Sequence, residues 1–305
     1  MIANQIALIR REFWEHRSIW VTPAAVAVVV SLVSLAALVT VSAFDREVHL
    51  AIFSAANLAG DAERQAALTM YFLATSWIFL VSLAILTIFY SLDSLYSERK
   101  DKSILFWRSM PITDSETVVS KLLTAVLMLP LVTVAVIMAT HFINLIVSSI
   151  WIAIQGGDAG HIVWGSVALF DNWTAALLFT LASALWMSPF IGWFLFVSAF
   201  TKRAPLLMAF MPLILIPIIE WLFFRSKIFL EAVLDRGDLN PLLRGVDFER
   251  LFDEDKLKVN EEAIRLLAQL DIGDFIVSPS LWAGFVVCGL FTTAAIYVRR
   301  FRDES

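Results

Sequence analysis

Six stretches of this chain carry no Asp, Glu, Lys or Arg: 19–44, 66–92, 122–154, 172–200, 204–219 and 275–298. Hydrocarbon offers the backbone no hydrogen-bond partners, so uncharged runs of this length read as helices that satisfy their own amides. About 20 residues cross a bilayer, and five of the six runs exceed that. The fifth falls short and contains Pro205, Pro212 and Pro217. It reaches spanning length by continuing through Glu220 to Phe224, with the carboxylate near the far interface; the alternative is a partly re-entrant helix. Composition agrees with a membrane protein: 59% of the 305 residues are apolar and 17% charged, against about 25% charged in a soluble domain. The first run is far longer than the roughly 7–15-residue core of a signal peptide, so it is expected to be an uncleaved span.

Basic residues set the expected orientation. With both ends inside, the short inner loops and tails hold Arg10, Arg11, Arg17, Arg99, Lys100, Lys102, Arg108, Lys121, Lys202, Arg203, Arg299, Arg300 and Arg302. The two short outer loops hold only Arg46 and Arg64. As one straight helix the run 122–154 would be about 50 Å long, so it is expected to kink, tilt or project beyond the membrane, and Pro130 offers a kink site. The long outer segment 225–274 has a turn signal at Arg236-Gly237-Asp238-Leu239-Asn240-Pro241. Phe248, Leu251, Phe252, Leu257, Ile264, Leu267 and Leu270 follow at roughly helical spacing, which predicts one or two amphipathic helices.

Few residues offer chemistry. His16, His49, His141 and His161 are scattered without metal-ligand spacing, and the lone Cys288 excludes an internal disulfide. There is no G-x-x-x-x-G-K-[ST] loop to cradle a triphosphate. No residue set points to an enzyme, a bound cofactor, a metal or nucleic acid. An ionisable group at membrane depth is a functional candidate, which singles out His141; with Thr140 and Asn144 it forms a candidate polar stripe along a pathway. Asp93, Glu98 and Asp101 lie among Arg99, Lys100 and Lys102, so local ion pairing is their expected role.

Two amphipathic pieces lie outside the spans. Ile2, Ile6, Ile9 and Phe13 share one helical face, as in a helix lying in the headgroup plane. Between spans two and three stands the charged island Glu98-Arg99-Lys100-Asp101-Lys102, followed by Ser103–Met110, two expected helical turns presenting Ile104, Leu105, Trp107 and Met110. Pro111 stops that helix, because the residue before proline disfavours the α region. Thr113 and Glu116 then form a capping box for the next helix.

Glu98-Arg99, a short gap, Leu105, Pro111 and the downstream Lys121 resemble the junction between the second and third helices of ABC-2-type ABC transporter permeases. The motif covers about thirty residues; the amphipathic N-terminal helix, six spans and long outer loop extend the likeness along the chain. Lys102-Ser103 stands where many members have Gly-Thr, and Phe106-Trp107 where many carry an acidic residue. The resemblance implies that Glu98, Arg99, Lys102, Ile104, Leu105, Trp107, Arg108, Met110 and Pro111 form a coupling helix seated in a separate soluble ATPase, and that the N-terminal helix borders that ATPase. It implies a non-catalytic subunit, ATP and Mg²⁺ held by the partner, and a second permease copy, identical or related. It also implies export of a hydrophobic or amphipathic substrate from a bacterial cytoplasmic membrane.

The expectation is thus an all-α membrane protein: an interface helix over 1–18, spans over 19–44, 66–92, 122–154, 172–200, 204–224 and 275–298, a coupling loop over 93–121 and an extracytoplasmic helical loop over 225–274. An ion-coupled secondary transporter, which would be expected to place acidic residues near the bilayer midplane, and a non-transport assembly protein are the alternatives.

Overall fold

The uncharged runs become helices, and two of those helices continue far past their apolar cores. A computed structural model describes residues 2–43, 60–237, 241–243 and 265–301. In order these form α1 Ile2–Glu15, α2 Ser18–Ala43, α3 Asp61–Lys100, α4 Ser103–Arg108, α5 Asp114–Ile154, α6 Leu169–Trp186, α7 Ser188–Phe200, α8 Pro205–Phe224, α9 Ile228–Gly237, α10 Ile272–Val277 and α11 Pro279–Phe301. There is no strand among the described residues. Five helices are long and apolar enough to cross a membrane, or six if the bent pair α6 and α7 is one span. The chain is a multi-pass membrane protein by that measure.

At 1.5 Å per residue, α3 with 40 residues and α5 with 41 are each about 60 Å long, roughly twice a hydrocarbon core of about 30 Å. Their surplus turns are polar and meet at one end of the bundle, with α1 and the C-terminal turn of α11. We call this the charged end, and the opposite end the loop end. In α5 a π turn over Thr124–Met128 precedes Pro130, a local widening of a helix that runs on from Asp114 to Ile154.

The run 172–200 is not one straight helix. It breaks at Met187, and α6 and α7 are bent by 54°. Pro189 has no N–H to give the Leu185 carbonyl, and the amides of Phe190 and Ile191 both turn to the Met187 carbonyl, at 3.0 and 3.2 Å. The freed Trp186 carbonyl accepts from Arg236 Nη1 at 3.0 Å, so a side chain of α9 repairs the break.

The packing of α7 on α11 depends on Gly192. A Cβ there would lie 3.0 Å from the Cys288 carbonyl oxygen and 3.1 Å from its Cα, the kind of close backbone approach that small residues allow between membrane helices. Ile19, Leu86, Tyr90, Leu129, Ile191 and Leu195 bring α2, α3, α5 and α7 into one core. The helical spacing read over 248–270 falls mostly outside the described residues; Leu267 lies in a 3₁₀ turn, Leu266–Gln269. Of the turn expected over 236–241, α9 ends at Gly237 and a 3₁₀ turn begins at Pro241.

Candidate functional site

The surplus turns at the charged end bring six charged side chains from four helices into one largely buried knot. Glu98, in the last turn of α3, is its centre. Its Oε1 lies 2.5 Å from Arg11 Nη2 of α1 and 3.1 Å from Lys121 Nζ of α5. Its Oε2 lies 2.5 Å from Arg299 Nη1 of α11. Lys121 also donates to Glu12 Oε1 of α1 at 2.9 Å, the Tyr90 hydroxyl donates to Glu12 Oε2 at 2.8 Å, and Arg299 Nε donates to Asp114 Oδ1 at 2.9 Å. Glu12 and Lys121 are both 0% exposed.

Charge bookkeeping explains why such a knot tolerates burial. Glu12, Glu98 and Asp114 face Lys121, Arg299 and Arg11, so each carboxylate has a cationic donor. Buried ions lose several kcal/mol of hydration each, and only close partners with satisfied hydrogen bonds offset that loss. Burial alone would push the Arg11 guanidinium below its ordinary value, but Glu98, Glu12 and Glu15 beside it outweigh burial and raise it. His16 behaves in the opposite way: burial pushes its imidazole down, Glu12 opposes, and Lys121 adds to the lowering. Such a network adds little net stability over a well-packed apolar core, but it ties α1, α3, α5 and α11 to one another.

The short helix α4 hangs from this knot. It follows Lys102, whose backbone is left-handed at φ 57°, and it is tied back by Ser103 Oγ donating to the Glu98 carbonyl at 3.3 Å. The Arg11 guanidinium stacks over the Trp107 ring at 3.9 Å, a cation–π contact. Ile104 is buried beneath α4, while Phe106 and Met110 are exposed. A polar recess opens beside it, lined in part by Trp107, Thr113, Asp114, Arg299 and Arg300. At the far side of the loop the capping box forms as expected: Thr113 Oγ1 accepts from Glu116 N at 3.1 Å, and Thr113 N donates to Glu116 Oε2 at 3.0 Å.

Comparison with family models, with curated proteins and with solved structures finds no match for this chain. The site is therefore read from its own geometry.

That geometry divides the residues named from sequence. Glu98 and Ile104 are taken up inside the protein. Arg99 donates to the Ser198 and Thr201 carbonyls at 2.6 and 2.7 Å, closing the end of α7. Lys102, Met110 and Pro111 are exposed, and Trp107 is half-buried. The side chains of Leu105 and Arg108 lie outside the described residues. Two expectations are corrected. The short helix ends at Arg108 instead of Met110, because the amides of Ser109 and Met110 turn to the Phe106 and Trp107 carbonyls, at 3.1 and 3.2 Å. Glu98 pairs with cations remote in sequence and not with Lys100 or Lys102, because its position on α3 faces the helix bundle.

Thr140, His141 and Asn144 stand apart from the knot, on the face of α5 that meets α3. Asn144 Nδ2 donates to the Tyr71 hydroxyl at 2.9 Å, His141 stacks on Phe72 with centroids 4.4 Å apart, and Thr140 Oγ1 donates to the Val136 carbonyl at 2.7 Å.

Glu12, Tyr90 and Arg299 carry the knot and were not among the residues singled out from sequence. Glu12 follows Leu8 by one helical turn, and Leu8 is buried whereas Ile6 is 63% exposed. The docking face of α1 is thus Leu8–Glu12, beside the more apolar Ile6 face. The ligand atoms of Glu12, Glu15 and His16 lie within 4.8 Å of one another, but both oxygens of Glu12 are already engaged by Lys121 and Tyr90.

Proposed function

We propose that this chain is the membrane subunit of an ATP-driven exporter of the ABC-2 permease kind, driven by a soluble ATPase on another polypeptide. One observation carries the reading. The six-residue helix α4 stands outside any hydrocarbon run, displays Phe106 and Met110, and is bound through Glu98, Ser103 and Trp107 to a knot that joins α1, α3, α5 and α11. A force applied to α4 is therefore shared at once among three long helices. A surface loop with no mechanical role has no need of an anchor of six charged side chains, four of them buried.

The charged end then faces the cytosol, in keeping with its excess of Lys and Arg, and both termini are cytoplasmic. Counting α6 and α7 as one span gives six crossings, with Glu220–Asp274 on the far side. The recess beside α4 gives a partner side chain a polar place to enter. Two copies enclose the pathway, the ATPase holds ATP and Mg²⁺, and the substrate is hydrophobic or amphipathic.

The reading is tested by reconstituting the full chain in vesicles with the ATPase that purifies with it. Glu98→Gln and Trp107→Ala are expected to leave ATP hydrolysis by the isolated ATPase intact while abolishing its stimulation by the membrane subunit. Transport that persists without any ATPase and follows a proton gradient would replace this reading with an ion-coupled transporter.

A further inference from the structure

Three helices enclose an apolar cleft that plays no part in the knot at the charged end. Phe72 and Trp77 of α3, Ile137 of α5 and Phe179 of α6 form much of its wall. Leu266 and Leu270 close one side of it, and their turn is held in place where the Leu266 amide donates to Asp171 Oδ2 at 2.9 Å. The cleft holds about 100 Å³ and is open along one side. An apolar cavity of about 150 Å³ accepts benzene, so this one takes a slender group, an alkyl chain or a single ring.

Of the polar side chains on this wall, Ser76, His141, Asn172, Thr180 and Gln269, His141 and Asn172 each leave one buried atom without a partner. His141 is 1% exposed, and its Nε2 lies 2.9 Å from Thr75 Oγ1. The single hydroxyl proton of Thr75 is used within its own helix, on the Tyr71 carbonyl at 2.9 Å. With that proton assigned to the helix carbonyl, Thr75 Oγ1 accepts from Nε2–H, and the lone pair is left on Nδ1. That atom is buried with no hydrogen-bond partner. Asn172 is 4% exposed and donates Nδ2 to the Ala168 carbonyl at 2.9 Å, which fixes its amide orientation; its Oδ1 is buried and unpaired. Each such atom has given up its water and gains nothing in return while it stays unpaired.

The chemistry of the occupant follows. Both open atoms are acceptors, so the ligand must donate. None of the residues lining the cleft is Asp, Glu, Lys or Arg, so an ammonium head finds no counter-ion and a carboxylate finds no cation. We propose that the cleft binds a single-chain amphiphile with a neutral hydroxyl head, the chain lying against Phe72, Trp77 and Phe179 and the hydroxyl donating to His141 Nδ1 or Asn172 Oδ1. This site does not rest on the coupling role of α4 and stands or falls separately.

The test uses the full chain in lipid nanodiscs and two photoreactive probes, an eight-carbon primary alcohol bearing a diazirine and the matching alkane without the hydroxyl. Saturable labelling of α3, α5 or α6 by the alcohol is expected, with weaker labelling by the alkane. Substituting whichever residue takes the hydroxyl proton, by His141→Phe or Asn172→Leu, should weaken alcohol binding by about five- to tenfold, the worth of roughly one hydrogen bond, and leave alkane labelling unchanged. Should His141→Phe fail to fold, the comparison of alcohol with alkane on the native chain still decides. Equal labelling by the two probes, insensitivity of the alcohol to both substitutions, or labelling that never saturates would overturn the proposal and leave the cleft as a packing gap or a water site.

Discussion

Lys121 donates to Glu12 at 2.9 Å across 109 residues of sequence, and neither side chain has any exposure. This contact presses the N-terminal helix onto the first turns of α5, beside Glu98. Truncating one partner leaves the other charge buried without its nearest counter-ion, and breaking a buried pair costs up to about 3–5 kcal/mol. Lys121→Met is therefore expected to lower the thermal unfolding midpoint of the purified protein sharply. Adding Glu12→Leu to Lys121→Met removes both charges, and much of the loss should return. A double variant as unstable as the single one would show that the pair is not coupled in this way.

The turn between α3 and α4 offers a gain in stability. Lys102 sits in the left-handed region, at φ 57° and ψ 13°, where a side chain costs about 1–2 kcal/mol and glycine costs little. Glycine also loses more freedom on folding, by about 0.5–1 kcal/mol. Lys102→Gly is expected to stabilise the protein by up to about 1 kcal/mol, read as a small rise in the thermal midpoint. Lys102→Val should lower it.

Acidification should loosen α1 before the rest of the bundle. The His16 ring packs edge-on against Tyr90, with centroids 5.1 Å apart, near Glu12 and Lys121. Burial, partly opposed by Glu12, sets its pKa below the ordinary 6.5. The folded state thus binds fewer protons than the unfolded one, so this contribution is fully present above about pH 6.5 and declines as pH falls through and below that value. Protection of α1 amides from hydrogen exchange, taken relative to their intrinsic rates at each pH, should fall between about pH 7 and 5 in the native chain, and His16→Gln should flatten that dependence. Identical pH profiles for the two proteins would exclude His16 as the cause.

Local rules made parts of this architecture legible, and distance hid the rest. The Thr113–Glu116 capping box lies within four residues and formed as expected. The apolar runs located the long helices because hydrocarbon imposes a simple rule on backbone amides. The bend at Met187 had a signal in Pro189, yet its repair by Arg236 needs a residue some fifty positions away. Glu98 was marked by its motif, but its partners Arg11, Lys121 and Arg299 come from three other helices, and nothing in a linear pattern pairs them. The polar stripe Thr140, His141 and Asn144 was visible at helical spacing; that it faces Tyr71, Phe72 and Thr75 depends on how α3 and α5 pack.

The proposal that α4 seats an energy-supplying subunit is tested most directly by placing a photoreactive benzophenone amino acid at Phe106 or Met110 in living cells and identifying what it captures. The account predicts, from both positions, a crosslink to a soluble polypeptide that carries a Walker-A loop, and its loss when Trp107→Ala displaces α4. Crosslinks only to lipid, or to extracytoplasmic proteins, would contradict both the orientation and the coupling role.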